Sequence, residues 1–132
     1  MTSQFVNIHT HRPTGRGIEL RTAGIHPWDA DKEDIAALGT LPADVQAIGE
    51  TGLDYFRTRD EEGRRAQERS FRSHIRWAHR SGKTLMIHDR DAHADVLDVL
   101  DAEGVPERFM MHCFSGDAAF ARQCLDRGAW LS

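Results

Sequence analysis

The sequence predicts an α/β fold in which parallel strands are covered on the outside by helices, and two observations carry that prediction. Short apolar segments alternate along the chain with longer amphipathic ones, the pattern of strands joined by helical crossovers. The polar residues also follow the apolar segments closely, as they do where parallel strands deliver functional groups to one edge of a sheet. Periodicity leaves two architectures open, a doubly wound sheet or a β/α barrel.

Taken in order, Phe5 to Ile8, Arg21 to Ile25, Val45 to Gly49 and Thr84 to Ile87 read as buried strands, with Arg108 to Met111 a weaker fifth. Asp31 caps a helix through Leu38. Thr58 and Glu61 form a capping box for a long helix that reaches about Arg80 and ends at Gly82. Val96, Leu97, Val99 and Leu100 make the apolar stripe of the next helix, closed by Gly104 and Pro106. Ser115 or Asp117 starts another, carrying Phe120 and Leu125 and stopping at Gly128. Trp130 to Ser132 begin one more strand. No GxGxxG or GxxxxGK[ST] follows any strand, which leaves the dinucleotide and P-loop readings little support.

With 132 residues, 39% of them hydrophobic, the chain has material for one modest core, so residues 1–132 are expected to form one folding unit. No stretch approaches the roughly 18 apolar residues of a membrane span. Met1 to His11 lacks the basic and apolar regions of a secretory signal, and the expected location is the cytoplasm. Cys113 and Cys124 suggest no disulfide framework. A net charge of −4 excludes coating of nucleic acid by bulk positive charge. It does not exclude a phosphate substrate, because bound cations reverse the local sign of a carboxylate-containing site.

The chemistry lies at the strand ends. His9 and His11 come directly after Phe5 to Ile8, and residues two apart in an extended segment project to the same side. Glu50 follows Val45 to Gly49, His88 follows Thr84 to Ile87, and His112 follows Met110 and Met111. Four imidazoles and a carboxylate on one edge make a divalent metal site. His26, in Gly24-Ile25-His26-Pro27-Trp28, also ends a strand and lines the pocket as a substrate contact, with a structural role as its alternative. Arg90, two residues past His88, is placed to clamp a substrate phosphate. Arg65, Arg69, Arg72, Arg76 and Arg80 form a helical stripe read as a solvated face, and His74, His79 and His93 are read as structural or exposed.

Several motifs resemble those of the TatD family of metal-dependent deoxyribonucleases, among the amidohydrolase-like β/α barrels. Asn7-Ile8-His9-Thr10-His11 resembles its HxH, and Ala23 to Pro27 its GIHP-type motif. Ala47-Ile48-Gly49-Glu50-Thr51-Gly52-Leu53-Asp54-Tyr55 is similar to its AIGE-x-GLD-Y segment. Ile87 to Ala92 and Met111 to Gly116 resemble its IHxRDA and HCFSG motifs, and Gln67, Phe71 and Ala78 fall where its long helix would place them. The resemblance implies a TIM-like β/α barrel of the metal-dependent hydrolase type, incomplete here, with about five to six parallel strands and outer helices. It implies that His9 and His11 bind one ion, that Glu50 bridges two, and that His88 and His112 bind the second. The ions implied are Mg, Mn or Zn, and the reaction is hydrolysis of DNA phosphodiester bonds by a metal-activated water.

Two departures follow from the same comparison. The interval from His11 to Ala23 is too short for a helix and a further strand, so a βα unit of the family is missing. The family's late aspartate motif is also absent, and the chain is short of the roughly 250 residues of a closed barrel; the expectation is an N-terminal portion of such a hydrolase. Two other readings stand beside the nuclease. One is an ester or amide hydrolase using the same ions, such as an aminoacyl-tRNA deacylase. The other is an inactive metal-binding remnant or interaction module.

Overall fold

The computed structural model describes residues 6–10, 18–32, 36 and 44–132, with 6–10 and 18–20 described by their backbone alone. Six strands form one sheet: β1 Val6–Thr10, β2 Ile18–Ala23, β3 Ala47–Asp54, β4 Thr84–Arg90, β5 Phe109–Met111 and β6 Trp130–Leu131. Every neighbouring pair is parallel, and the spatial order is the chain order. A doubly wound sheet reverses its strand order at a switch point. This sheet does not, and its order is that of a β/α barrel wall.

Three helices follow β3, β4 and β5 in turn: α1 Glu61–Ser81, α2 His93–Glu103 and α3 Ala118–Asp126. Their buried faces and the sheet enclose one cluster that includes Ile48, Leu53, Phe71, Ile75, Leu85, Ile87, Val96, Leu100, Phe109 and Phe120. Each large side chain removed from water stabilises the fold by ~1.5–3 kcal/mol. This packing holds the polar edge of the sheet in place.

Helix α1 begins two residues later than the sequence suggests. Asp60 rather than Thr58 is the N-cap, and its carboxylate accepts the Gly63 N–H at 2.8 Å. Thr58 instead receives a hydrogen bond from the buried Gln67 amide at 2.8 Å. Gly82 ends the helix as expected, with φ 68° and its N–H returned to the Ala78 carbonyl. The arginine stripe is a solvated face that also ties α1 to α2: Arg72 pairs with Glu68 and Glu103, and Arg76 with Glu103. Asp117, one of two expected starts, caps α3.

Strand boundaries depart from the sequence reading in one way that matters. Glu50 and His88 were expected just past their strands, yet β3 runs on to Asp54 and β4 to Arg90. An apolar run stops at a polar side chain, whereas the backbone ladder needs only paired N–H and C=O groups. The ladder resumes after an irregularity at Ile48 to Thr51 and then pairs Gly52 with His88 and Asp54 with Arg90. Gly52 makes this possible: at φ +136°, a Cβ there would run into the His88 carbonyl oxygen.

Strand β2 starts and ends earlier than expected, and it lies beside β1 with only residues 11–17 between them. Asp31 and Lys32 sit in a turn after the 3-10 turn Pro27–Asp29. Most of the helix expected from Asp31 through Leu38 lies outside the described residues, as do Phe5 and His11. No helix among the described residues is long and apolar enough to cross a membrane.

His74, read as structural, proves to be a buried link between α1 and the end of β2. Its Nε2 accepts the Ile25 N–H at 3.0 Å, and its Nδ1–H donates to the Ser70 carbonyl at 2.7 Å. Burial pushes its pKa down to about 4, so the folded ring stays neutral while the unfolded one protonates near the ordinary value of ~6.5. The associated stability is complete above that value and declines as pH falls toward 4, by on the order of 3 kcal/mol. Urea midpoints measured across this window should therefore fall more steeply for the native chain than for His74→Gln, and parallel slopes would refute the assignment. Gly52→Ala combines a strained φ with a backbone collision and should lower stability by more than ~2 kcal/mol. An unchanged urea midpoint for that variant would show that the register at His88 does not require glycine.

Candidate functional site

The register of β3 against β4 builds the site. His88 lies across from Gly52, and the strand residues two before and two after that glycine are Glu50 and Asp54. Side chains alternate along a strand, so a carboxylate flanks the imidazole at each end. His88 Nδ1 is 2.9 Å from Glu50 Oε1, and His88 Nε2 is 2.9 Å from Asp54 Oδ2. Both contacts together need a proton on each ring nitrogen. Burial opposes that charge, but the hydrogen bonds to Glu50 and Asp54 outweigh it and hold the His88 pKa above its ordinary value.

Both carboxylates respond in the opposite sense. Burial pushes the Glu50 pKa up, but the hydrogen bond from His88 and the nearby charge of that ring bring it below the usual range. Asp54 is fully buried. Its desolvation is outweighed by hydrogen bonds from the Trp28 indole, the Arg57 N–H and His88, and its pKa is also lowered.

His26 completes the cluster from the end of β2. Ligand-capable atoms of His26, Glu50 and His88 all lie within 4.8 Å of one another, with His26 Nε2 3.9 Å from Glu50 Oε1. The His26 ring also caps the 3-10 turn, where Nδ1 accepts the Trp28 N–H at 3.2 Å. Burial lowers its pKa. A neutral ring that accepts at Nδ1 carries its proton on Nε2, so His26 turns a donor toward the space beside Glu50. Imidazole nitrogen with carboxylate oxygen suits divalent first-row ions, and the donors contributed by Glu50 and His88 fit such an ion.

The remaining expected site residues fall as follows. His112 immediately follows β5, donates its backbone N–H to the Ile87 carbonyl at 2.9 Å, and has its Nδ1 3.4 Å from Ser132 Oγ. Its ring is not in the three-residue cluster. His9 lies in β1, with only its backbone described, and His11 lies outside the described residues. Arg90 ends β4, and its guanidinium is 3.9 Å from the centre of the Phe56 ring. His93, read as structural or exposed, stands close to a strand end because β4 extends to Arg90; it bonds Asp89 at 2.7 Å and stacks on Phe120. Cys113 and Cys124 are free thiols, one exposed and one buried.

Sequence reasoning quoted Asp54 within a motif but gave it no role. Its signal was present as Glu50-x-Gly52-x-Asp54, two carboxylates on the same side of an extended segment with a glycine between them. Trp28 was likewise missed as a partner of that carboxylate, which it contacts at 2.8 Å.

Comparison with known proteins places this geometry in a family. The profile described as "TatD related DNase" matches residues 17–132. A relative in Mycobacterium tuberculosis, an uncharacterized metal-dependent hydrolase TatD, is 46% identical over 115 residues, covering 81% of this chain and 43% of its own length. The 3'-5' ssDNA/RNA exonuclease TatD of Citrobacter koseri is 39% identical over 121 residues, covering 83% and 44%. Among solved structures, the TatD homolog YjjV of Escherichia coli superposes with a TM-score of 0.74 at 25% identity, over 86% of this chain and 46% of that one. The chain thus spans less than half the length of the relatives it matches. Over that span, fold and sequence agree, and the chain belongs to the TatD family of metal-dependent hydrolases.

Proposed function

We propose that this chain forms the metal-holding part of a hydrolase that cleaves phosphodiester bonds in nucleic acid. The observation that carries the proposal is the convergence of His26, Glu50 and His88 within 4.8 Å toward the C-terminal side of β2, β3 and β4, the side of a parallel sheet on which such folds carry out their chemistry. His9, His11 and Glu50 would hold one ion, and Glu50, His88 and His112 a second, each Mg, Mn or Zn. Such ions supply charge neutralisation at a scissile phosphate and lower the pKa of water.

The chain's own groups do the rest. The His26 Nε2–H points beside Glu50 and is placed to donate to a phosphate oxygen of the substrate. Glu50 and His88 stay half-buried, which limits competition from water. Arg90 contributes a guanidinium at the rim. That rim favours a nucleic acid over a small ester: Trp28 and Phe56 are 42% and 45% exposed, with Arg57 3.8 Å from the Trp28 ring centre and Arg90 3.9 Å from that of Phe56. Exposed aromatic and guanidinium planes stack unpaired bases and attract the backbone. The Citrobacter relative, named as acting on single-stranded DNA and RNA, supports the same substrate class.

The test is Mn- or Mg-dependent cleavage of an end-labelled single-stranded oligonucleotide, with a duplex of the same sequence and an aminoacyl ester as comparison substrates. Cleavage of the single strand should be abolished by chelator and reduced at least ~100-fold by Glu50→Ala, beyond the usual loss from outer-shell changes. Ester cleavage without nucleic-acid cleavage would replace this proposal with the other hydrolase, and metal binding without either activity would support the inactive form.

A further inference from the structure

We propose that Asp54 is a positioning residue: its buried carboxylate accepts the Nε2–H of His88 and thereby commits the Nδ1 lone pair of that ring to the side facing Glu50. The inference rests on the reading of His88 as a metal ligand, and it assigns which of its two nitrogens does the ligating and what enforces the choice.

The carboxylate is held from every direction the structure describes. Its Oδ2 receives the Trp28 indole N–H at 2.8 Å as well as His88 Nε2 at 2.9 Å, and its Oδ1 receives the Arg57 N–H at 2.8 Å. The backbone is clamped too, with the Asp54 N–H donating to the buried Gln67 side chain at 3.0 Å and the next N–H, that of Tyr55, donating to the Arg90 carbonyl at 2.9 Å. A fully buried carboxylate with this many donors has no freedom to turn away. It takes the Nε2–H side of the His88 ring as its donor, so the lone pair that the ring offers to an ion is at Nδ1, the nitrogen that lies 2.9 Å from Glu50 Oε1. A ligating histidine whose second nitrogen donates to a carboxylate is fixed in tautomer and orientation, and is a stronger donor for it.

Asp54 also closes the Arg57 turn and anchors Trp28, so a purely architectural role is the alternative to separate. Zinc affinity of the full chain is measured by competition with a chromogenic chelator, and the His88 ring nitrogens are followed by 15N NMR with zinc bound. In the native chain, Nε2 should appear protonated and Nδ1 ligated. Asp54→Ala should weaken zinc binding by ~10–100-fold, and Asp54→Asn, whose amide oxygen still accepts the Nε2–H, should recover part of the loss. In a His88→Ala background, Asp54→Ala should change zinc affinity by less than about twofold, since the effect passes through that ring. Ligation through Nε2, unchanged affinity in Asp54→Ala, or an equal loss in the His88→Ala background would overturn the positioning role and leave the metal site standing. Failure of the native chain to bind zinc would overturn both. Should Asp54→Ala not fold, the native-chain spectrum and Asp54→Asn decide the question.

Discussion

The site depends on one constraint of register: His88 of β4 lies across from Gly52 of β3. A side chain at Gly52 would run into the His88 carbonyl oxygen, so only glycine lets the strands approach here. Glu50 and Asp54 then reach the two ends of one imidazole, and a slip of one residue would turn both carboxylates to the other face. Within β3, the positions that carry chemistry and the position that permits it alternate. The site is a property of two paired strands, and the remaining elements serve to hold that pairing.

What holds it is apolar. Phe71 and Ile75 of α1 are fully buried in the cluster with Ile48, Leu53 and Ile87, on the layer behind the polar residues. The same helix reaches the site through two buried polar side chains. His74 fixes the end of β2 just before His26, and Gln67 fixes the backbone of Asp54. Buried polar groups of this kind are costly unless fully paired, and here their pairing carries the geometry of the core to the rim of the sheet.

The strands and helices were legible because their apolar periodicity is strong and their caps are explicit. Gly82 and Asp117 mark helix ends by conformation and by side-chain hydrogen bonding, and both act as read. The ends of β3 and β4 were not legible, because a strand that carries functional groups gives up its apolar pattern while keeping its ladder. The motif residues Glu50, His88 and His26 were all singled out beforehand, since imidazoles and carboxylates recur after apolar segments. Asp54 was harder to see: its importance comes from a contact with a residue 34 positions away, and only the register reveals it. The same holds for His26, whose proton location follows from the backbone N–H of Trp28 rather than from its own identity.

In the proposed site Glu50 and His88, held in this register, present a carboxylate oxygen and Nδ1 to one divalent ion. Anomalous diffraction from crystals of the zinc-loaded chain checks this placement. A zinc peak is expected within ~2.0–2.2 Å of Glu50 Oε1 and His88 Nδ1, with Asp54 still bonded to Nε2. A peak at the exposed thiol of Cys113, or ligation of His88 through Nε2, would contradict it.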